Sequence, residues 1–94
     1  MFDIKHDSAH RVLLIGRFDA AQTETARELL STIEESCTLD FAGLDYISSA
    51  GLGVLLATQK RLGGAGHGLT LVNLNPHTRD IFRIAGLDMI FTIE

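Results

Sequence analysis

The segment Asp45–Leu56, DYISSAGLGVLL, sets two serines and two glycines against an aliphatic run. Three kinds of chemistry suit a serine in that setting. Ser48 or Ser49 can cap a helix by accepting a hydrogen bond from a backbone N–H, a contact worth about 1 kcal/mol. A serine between a strand and a helix can also be a nucleophile. The nucleophile elbow, however, has glycine two residues to either side of its serine, and Ser49 has Gly51 after it but Ile47 before it. The four histidines, His6, His10, His67 and His77, fall in expected loops or a hairpin and have no evident orienting acid, so a general base is missing. The third possibility is modification. A phosphate on Ser49 would meet the free N–H groups and positive dipole end of a helix start. Ala50, Gly51 and Gly53 carry little or no side chain, so a partner's backbone can approach closely. A phosphate adds a charge of about −1.5 to −2 and would block that approach by bulk, desolvation and repulsion without unfolding the chain. Capping and phosphorylation use the same geometry, and the residues alone do not choose between them.

Other polar residues read more simply. Asp19 follows an aliphatic run and is an expected N-cap. The glycine-dense GGAGHG, Gly63–Gly68, follows a helix and precedes a strand, the reverse of a phosphate-binding loop, so it reads as a turn. Cys37 falls on an apolar stripe and is expected to be a small buried hydrophobe. No His-x-x-x-His or Cys-x-x-Cys spacing occurs, so neither metal nor cofactor is expected.

The elements that must position these residues alternate along the chain. Asp3–Asp7 predicts an edge strand, joined by a short hairpin connection to a strand at Arg11–Phe18. Ala26, Leu29, Leu30, Ile33 and Cys37 recur at helical spacing, with Glu24, Arg27, Glu28, Ser31, Glu34 and Glu35 facing away. Cys37–Gly43 reads as a short strand and turn, and Ser49–Leu62 as a helix buried through Leu52, Leu55, Leu56 and Leu62 and ended by Gly63 and Gly64. Gly68–Leu74 is a strand. Asn75 and Pro76 open a third helix with Ile81, Phe82 and Ala85 inward and Gly86 at its close, and Met89–Ile93 is a last strand. Strands separated by helices imply an α/β fold with a mixed, mostly parallel sheet of four to five strands and right-handed crossovers.

Length and composition are consistent with that plan. The 94 residues make one expected domain, 1–94, with a thin core. Hydrophobic residues form 46% of the chain, which favours folding over disorder. Eight Lys+Arg against twelve Asp+Glu give a net charge of −4. That balance argues against a nucleic-acid binder and against attraction to anionic membranes. The single cysteine, the polar opening MFDIKHDSAH and apolar runs far below the roughly 20 residues of a membrane span point to a soluble cytoplasmic protein.

The string LDFAGLDYISSAGLGVLLATQKRL resembles the central motif of the STAS family, the domain of anti-sigma factor antagonists and sulfate transporters. LIGRFDAAQTETARELL before it and GLTLVNLNPHTRDIFRIAGL after it, with the closing short strand, fall at the family's spacing, so the resemblance covers nearly the whole chain. The family's usual motif is Asp-Ser-Ser/Thr-Gly-Leu-Gly, in which the serine after the aspartate is phosphorylated by an anti-sigma factor that is also a serine kinase. The resemblance therefore puts the phosphoacceptor on Ser49, the aspartate position on Ser48 and the next hydroxyl position on Ala50, while Gly51, Leu52 and Gly53 match directly. Asp19 matches an aspartate that lies near the acceptor and contributes to partner contact. What the resemblance implies is a non-enzymatic anti-sigma factor antagonist that switches partners; a monomer is the simplest expectation for the chain. Unphosphorylated, it binds the kinase through Asp19, Ser48, Ala50, Gly51 and Gly53 and releases the kinase's client. Phosphorylation of Ser49 ends the binding, and a metal-dependent serine phosphatase restores it. A rival from the same family is a subunit of a lipid-transport ATPase complex that is not phosphorylated, and many such subunits lack the acceptor serine that this chain retains.

Overall fold

A computed structural model describes residues 1–94. The chain runs β1 (Phe2–Ser8), β2 (Arg11–Phe18), α1 (Thr23–Leu30), β3 (Cys37–Ile47), α2 (Ser49–Gly63), β4 (Leu69–Val72), α3 (Pro76–Ile84) and β5 (Thr92–Ile93), with single 3-10 turns at Ala20–Gln22 and Leu87–Met89. The strands form one sheet in the order β1-β2-β3-β4-β5. β1 is antiparallel to β2, and the other three pairs are parallel. Each parallel neighbour is reached through a helix, and the strand order advances in one direction. Right-handed crossovers then place all three helices on one face of the sheet. The alternating burial of β2 agrees: Val12, Leu14 and Phe18 are buried, whereas Leu13 and Ile15 on the open face are only half-buried.

The helical face encloses one apolar cluster running from Ile4 through Val12, Leu39, Leu55 and Leu71 to Phe91. The rings of Phe41, Phe82 and Phe91 meet edge to face at 6.0 and 5.7 Å and seat α3 on the sheet. Phe2 lies 4.8 Å from Phe18 and seats β1 at the other side. Cys37 is buried, and desolvation pushes its thiol above the ordinary value, outweighing a backbone hydrogen bond with Thr38 that lowers it. No helix is long and apolar enough to cross a membrane.

The structure corrects three of the expected element boundaries. The first helix stops at Leu30, because Ser31 and Thr32 turn their hydroxyls back onto the carbonyls of Glu28 and Leu29, at 2.7 and 2.6 Å. Ile33 is buried from the following turn, and Cys37 opens the next strand. Their helical spacing was coincidental.

That strand, β3, does not turn at Gly43 but continues to Ile47. It does so through two one-residue bulges against β2, where the partners step from Leu13↔Asp40 to Ile15↔Gly43 and from Gly16↔Leu44 to Arg17↔Tyr46. The last strand shrinks to two residues, because Gly86, at φ 75°, leads into a 3-10 turn that leaves Met89 and Ile90 exposed. Ala85 is exposed rather than inward, and Leu52 and Leu56 are only half-buried, with Val54 and Thr58 sharing the core side of α2.

Candidate functional site

The parallel strands point their carboxyl ends toward one edge of the molecule, and the candidate residues gather there. β2 and β3 end in register at Phe18 and Ile47. One residue further, the Ser48 amide donates to the Phe18 carbonyl at 2.9 Å. This bond fixes Asp19, which follows Phe18, beside Ser48, which precedes α2. The two segments are 29 residues apart in sequence and adjacent only because the strands are parallel neighbours.

Each serine then has a separate role in the local geometry. Ser48 is the N-cap of α2. Its backbone is extended, its Oγ accepts from the Gly51 amide at 3.1 Å, and its carbonyl accepts from Leu52 at 2.9 Å. Ser49 is the first helical residue and is exposed. Amides at the first positions of a helix have no intrahelical acceptor, so Ser49 stands where the positive end of the helix dipole meets solvent. Capping is thus the work of Ser48, and the Ser49 side chain is left out of it.

Asp19 is half-buried and caps the 3-10 turn Ala20–Gln22, its Oδ1 accepting from Ala21 at 3.1 Å. It does not cap α1, whose N-cap is Gln22 without a side-chain bond. The 3-10 turn packs against α2, so Asp19 frames the serine pair from the β2 side.

The small residues divide by environment. Ala50 and Gly53 are exposed, and a Cβ on Gly53 would have nothing within 4 Å. Gly51 is buried, and a Cβ there would lie 3.0 Å from Ile47 Cγ1 and 3.2 Å from the Phe18 ring. Gly51 is therefore what lets the helix start sit on the strand ends. Asp45, displaced by the second bulge of β3, is an exposed acid on the same edge.

His6, His10 and His67 lie toward the opposite edge, beside Thr32, Glu35 and Ser36. His77 starts α3 on the serine edge but forms no hydrogen bond. No three His, Cys, Asp or Glu residues converge as metal ligands. The sequence reading missed Phe18, which with Ile47 underlies Gly51, and it missed Arg17 and Tyr46. The guanidinium of Arg17 lies 4.4 Å over the Tyr46 ring at the end of the open face. The available signal was Arg17 itself, a cation interrupting an aliphatic strand just before Asp19.

Comparison with known proteins places these features in a family. Residues 2–92 match the family model described as "Mlab, STAS domain". A proposed anti-sigma factor antagonist of Bordetella bronchiseptica, BtrV, is 45% identical over 60 residues, covering 64% of this chain and 52% of its own. The chain thus spans about half the length of this curated relative. Two solved structures show the same fold. An anti-sigma factor antagonist from Mycobacterium paratuberculosis superposes with a TM-score of 0.82 at 21% identity, covering 99% of this chain and 83% of its own. The Bacillus cell fate determinant SpoIIAA in its phosphorylated form gives 0.72 at 22%, covering 100% and 91%.

Proposed function

The chain belongs to the STAS domain family, and from that premise we propose that it is an anti-sigma factor antagonist whose binding is switched by phosphorylation of Ser49. The observation that carries this reading is the division of labour at the start of α2. Ser48 does the capping, and Ser49 presents a hydroxyl to solvent on a framework that does not depend on it. The name of BtrV and the existence of a phosphorylated form of SpoIIAA support the same reading.

In this mechanism the unphosphorylated edge, formed by Asp19, Ser48, Ala50 and Gly53, docks on an anti-sigma factor that is also a serine kinase, and the kinase's client is released. Gly51, expected from the sequence as a contact, is buried on Ile47 and Phe18 and supports the edge from below. The Ser49 oxygen then attacks the γ-phosphorus of ATP held by the kinase. An Oγ–P bond forms as the bond to ADP breaks, and the hydroxyl proton passes to a base of the kinase. The phosphoserine brings a charge of about −1.5 to −2 onto a surface shaped for close backbone approach and already carrying Asp19 and Asp45. The partner is expelled while the core remains intact. A metal-dependent serine phosphatase hydrolyses the ester and restores the docking form.

Incubation with candidate kinase anti-sigma factors from the same genome, Mg²⁺ and ATP, followed by phosphosite mapping, should place one phosphate on Ser49. Ser49→Asp should weaken kinase binding on the order of tenfold or more, or at least about 1.4 kcal/mol, with an unchanged melting temperature. Equal binding by Ser49→Asp and wild type would end the switch reading. The matching family description, Mlab, favours a second reading in which the same edge seats a lipid-transport ATPase subunit with no phosphate chemistry. Co-purification with an ATPase subunit, insensitive to Ser49→Asp, would select it.

A further inference from the structure

Arg17 stands near the end of β2, two residues before Asp19 and in register with Tyr46. Arg11, Arg27, Arg61, Arg79 and Arg83 each donate from the guanidinium to a protein oxygen, on Asp40, Glu24, Leu30, Glu94 and Asp80 respectively. Arg17 is the exception. Its side chain is exposed, takes no part in an ion pair, and lies on the Tyr46 ring.

Two physical consequences follow. The ring face attracts the cation and narrows its freedom, so less entropy remains to be lost when a ligand is bound. The planar fork keeps its donors open, in the geometry that matches the two oxygens of a carboxylate. The surroundings add a charge pattern, because the half-buried Asp19 follows Arg17 by two residues and the exposed Asp45 precedes its register partner Tyr46, in a chain of net charge −4. A complementary surface carries an acid flanked by bases.

We infer that Arg17, held on Tyr46, is a specificity-determining contact of the docking edge, receiving an Asp or Glu carboxylate of the partner protein. The interface then extends from the start of α2 over the strand ends onto the open face of the sheet. This inference rests on the proposed docking of a kinase anti-sigma factor and adds the chemistry of the surface that recognises it. Arg and Tyr are residue types that concentrate binding energy in interfaces, and an isolated cation at the rim also steers association.

The test is calorimetric titration of the full chain into the kinase anti-sigma factor of the same genome that phosphorylates it, with ADP bound. Arg17→Glu should weaken binding on the order of tenfold or more. Arg17→Lys should lose a smaller but measurable share, because it keeps the charge and not the fork. Tyr46→Leu should fall between the two, and the melting temperatures of the Arg17 variants should match wild type. An Asp→Arg or Glu→Arg change on the kinase that restores Arg17→Glu binding, while weakening wild type, would identify the partner acid. Binding of Arg17→Glu within about twofold of wild type, with Ser49→Asp still defective, overturns the inference and leaves the proposed function standing. Failure of wild type to bind overturns both.

Discussion

Gly51 and Gly53 stand two residues apart in α2 and meet opposite surroundings, so they separate folding from docking. A side chain on Gly51 must push into Ile47 and Phe18. Gly51→Val should therefore lower stability by about 1–3 kcal/mol through overpacking, read as a fall of about 4–8 °C in melting temperature per kcal/mol. A side chain on Gly53 meets open space. Gly53→Ala should raise stability by up to about 1 kcal/mol, because glycine is a poor helix former, and should nonetheless weaken binding of the kinase. A Gly53→Ala chain that is more stable and binds as well as wild type would remove Gly53 from the interface.

At the scale of elements, the bulged β3 is the part that decides where the site lies. Asp40 holds its first bulge. Its carboxylate accepts from the Ala42 amide at 2.9 Å, from Arg11 of β2 at 2.7 Å and from Asn73 after β4 at 3.0 Å. Asn73 adopts a left-handed backbone, φ 61°, to reach it. Partial burial pushes the Asp40 carboxyl up, but the Ala42 amide, Asn73 and Arg11 together outweigh this and hold it below its ordinary value. A carboxyl lowered by folding contributes stability that is present above its unfolded value, near about pH 4, and is lost as pH falls through the folded value. Asp40→Asn should thus be less stable at pH 7 and lose less on acidification. Urea melts from pH 7 to pH 3 with parallel slopes for the two chains would refute this role.

The same strand shows what the sequence made legible. β2 was readable to its ends, Arg11 and Phe18, because a short aliphatic run with β-branched Val12 and Ile15 favours a strand. β3 was not, because its inward residues step from Cys37, Leu39 and Phe41 to Leu44 and Ile47. A spacing of three imitates a turn unless bulges are allowed, and Ala42–Gly43 reinforced the illusion. The serine pair and its helix were legible from capping chemistry. The pairing of Asp19 with Ser48 depended on strand order, which local patterns do not carry. Arg17 on Tyr46 depended further on the register created by the second bulge.

The whole molecule is one sheet with helices on a single side and two unequal edges. β1 is a long edge, but Asp3, Lys5 and Asp7 place exposed charges along it, which discourages strand-to-strand association. β5 offers only two residues to a neighbour. With a net charge of −4, the chain should sediment as a 10.2 kDa monomer at micromolar concentration. A concentration-dependent mass near twice that value would refute this expectation and point to the open face as a self-association surface.

The main chain at Met1 also has a practical bearing. Its carbonyl accepts the Arg17 amide at 2.8 Å, so β1 begins alongside the end of β2. A Cβ on Gly16, at φ 89°, would strike that carbonyl at 2.1 Å. Anything spliced ahead of Met1 leaves the molecule within a few residues of Arg17 and Asp19. An amino-terminal purification handle or fluorescent reporter would crowd the surface it was meant to assay. One attached past Glu94, at the far side of the sheet, leaves that surface free, and binding measured from the two fusions should differ for this reason alone.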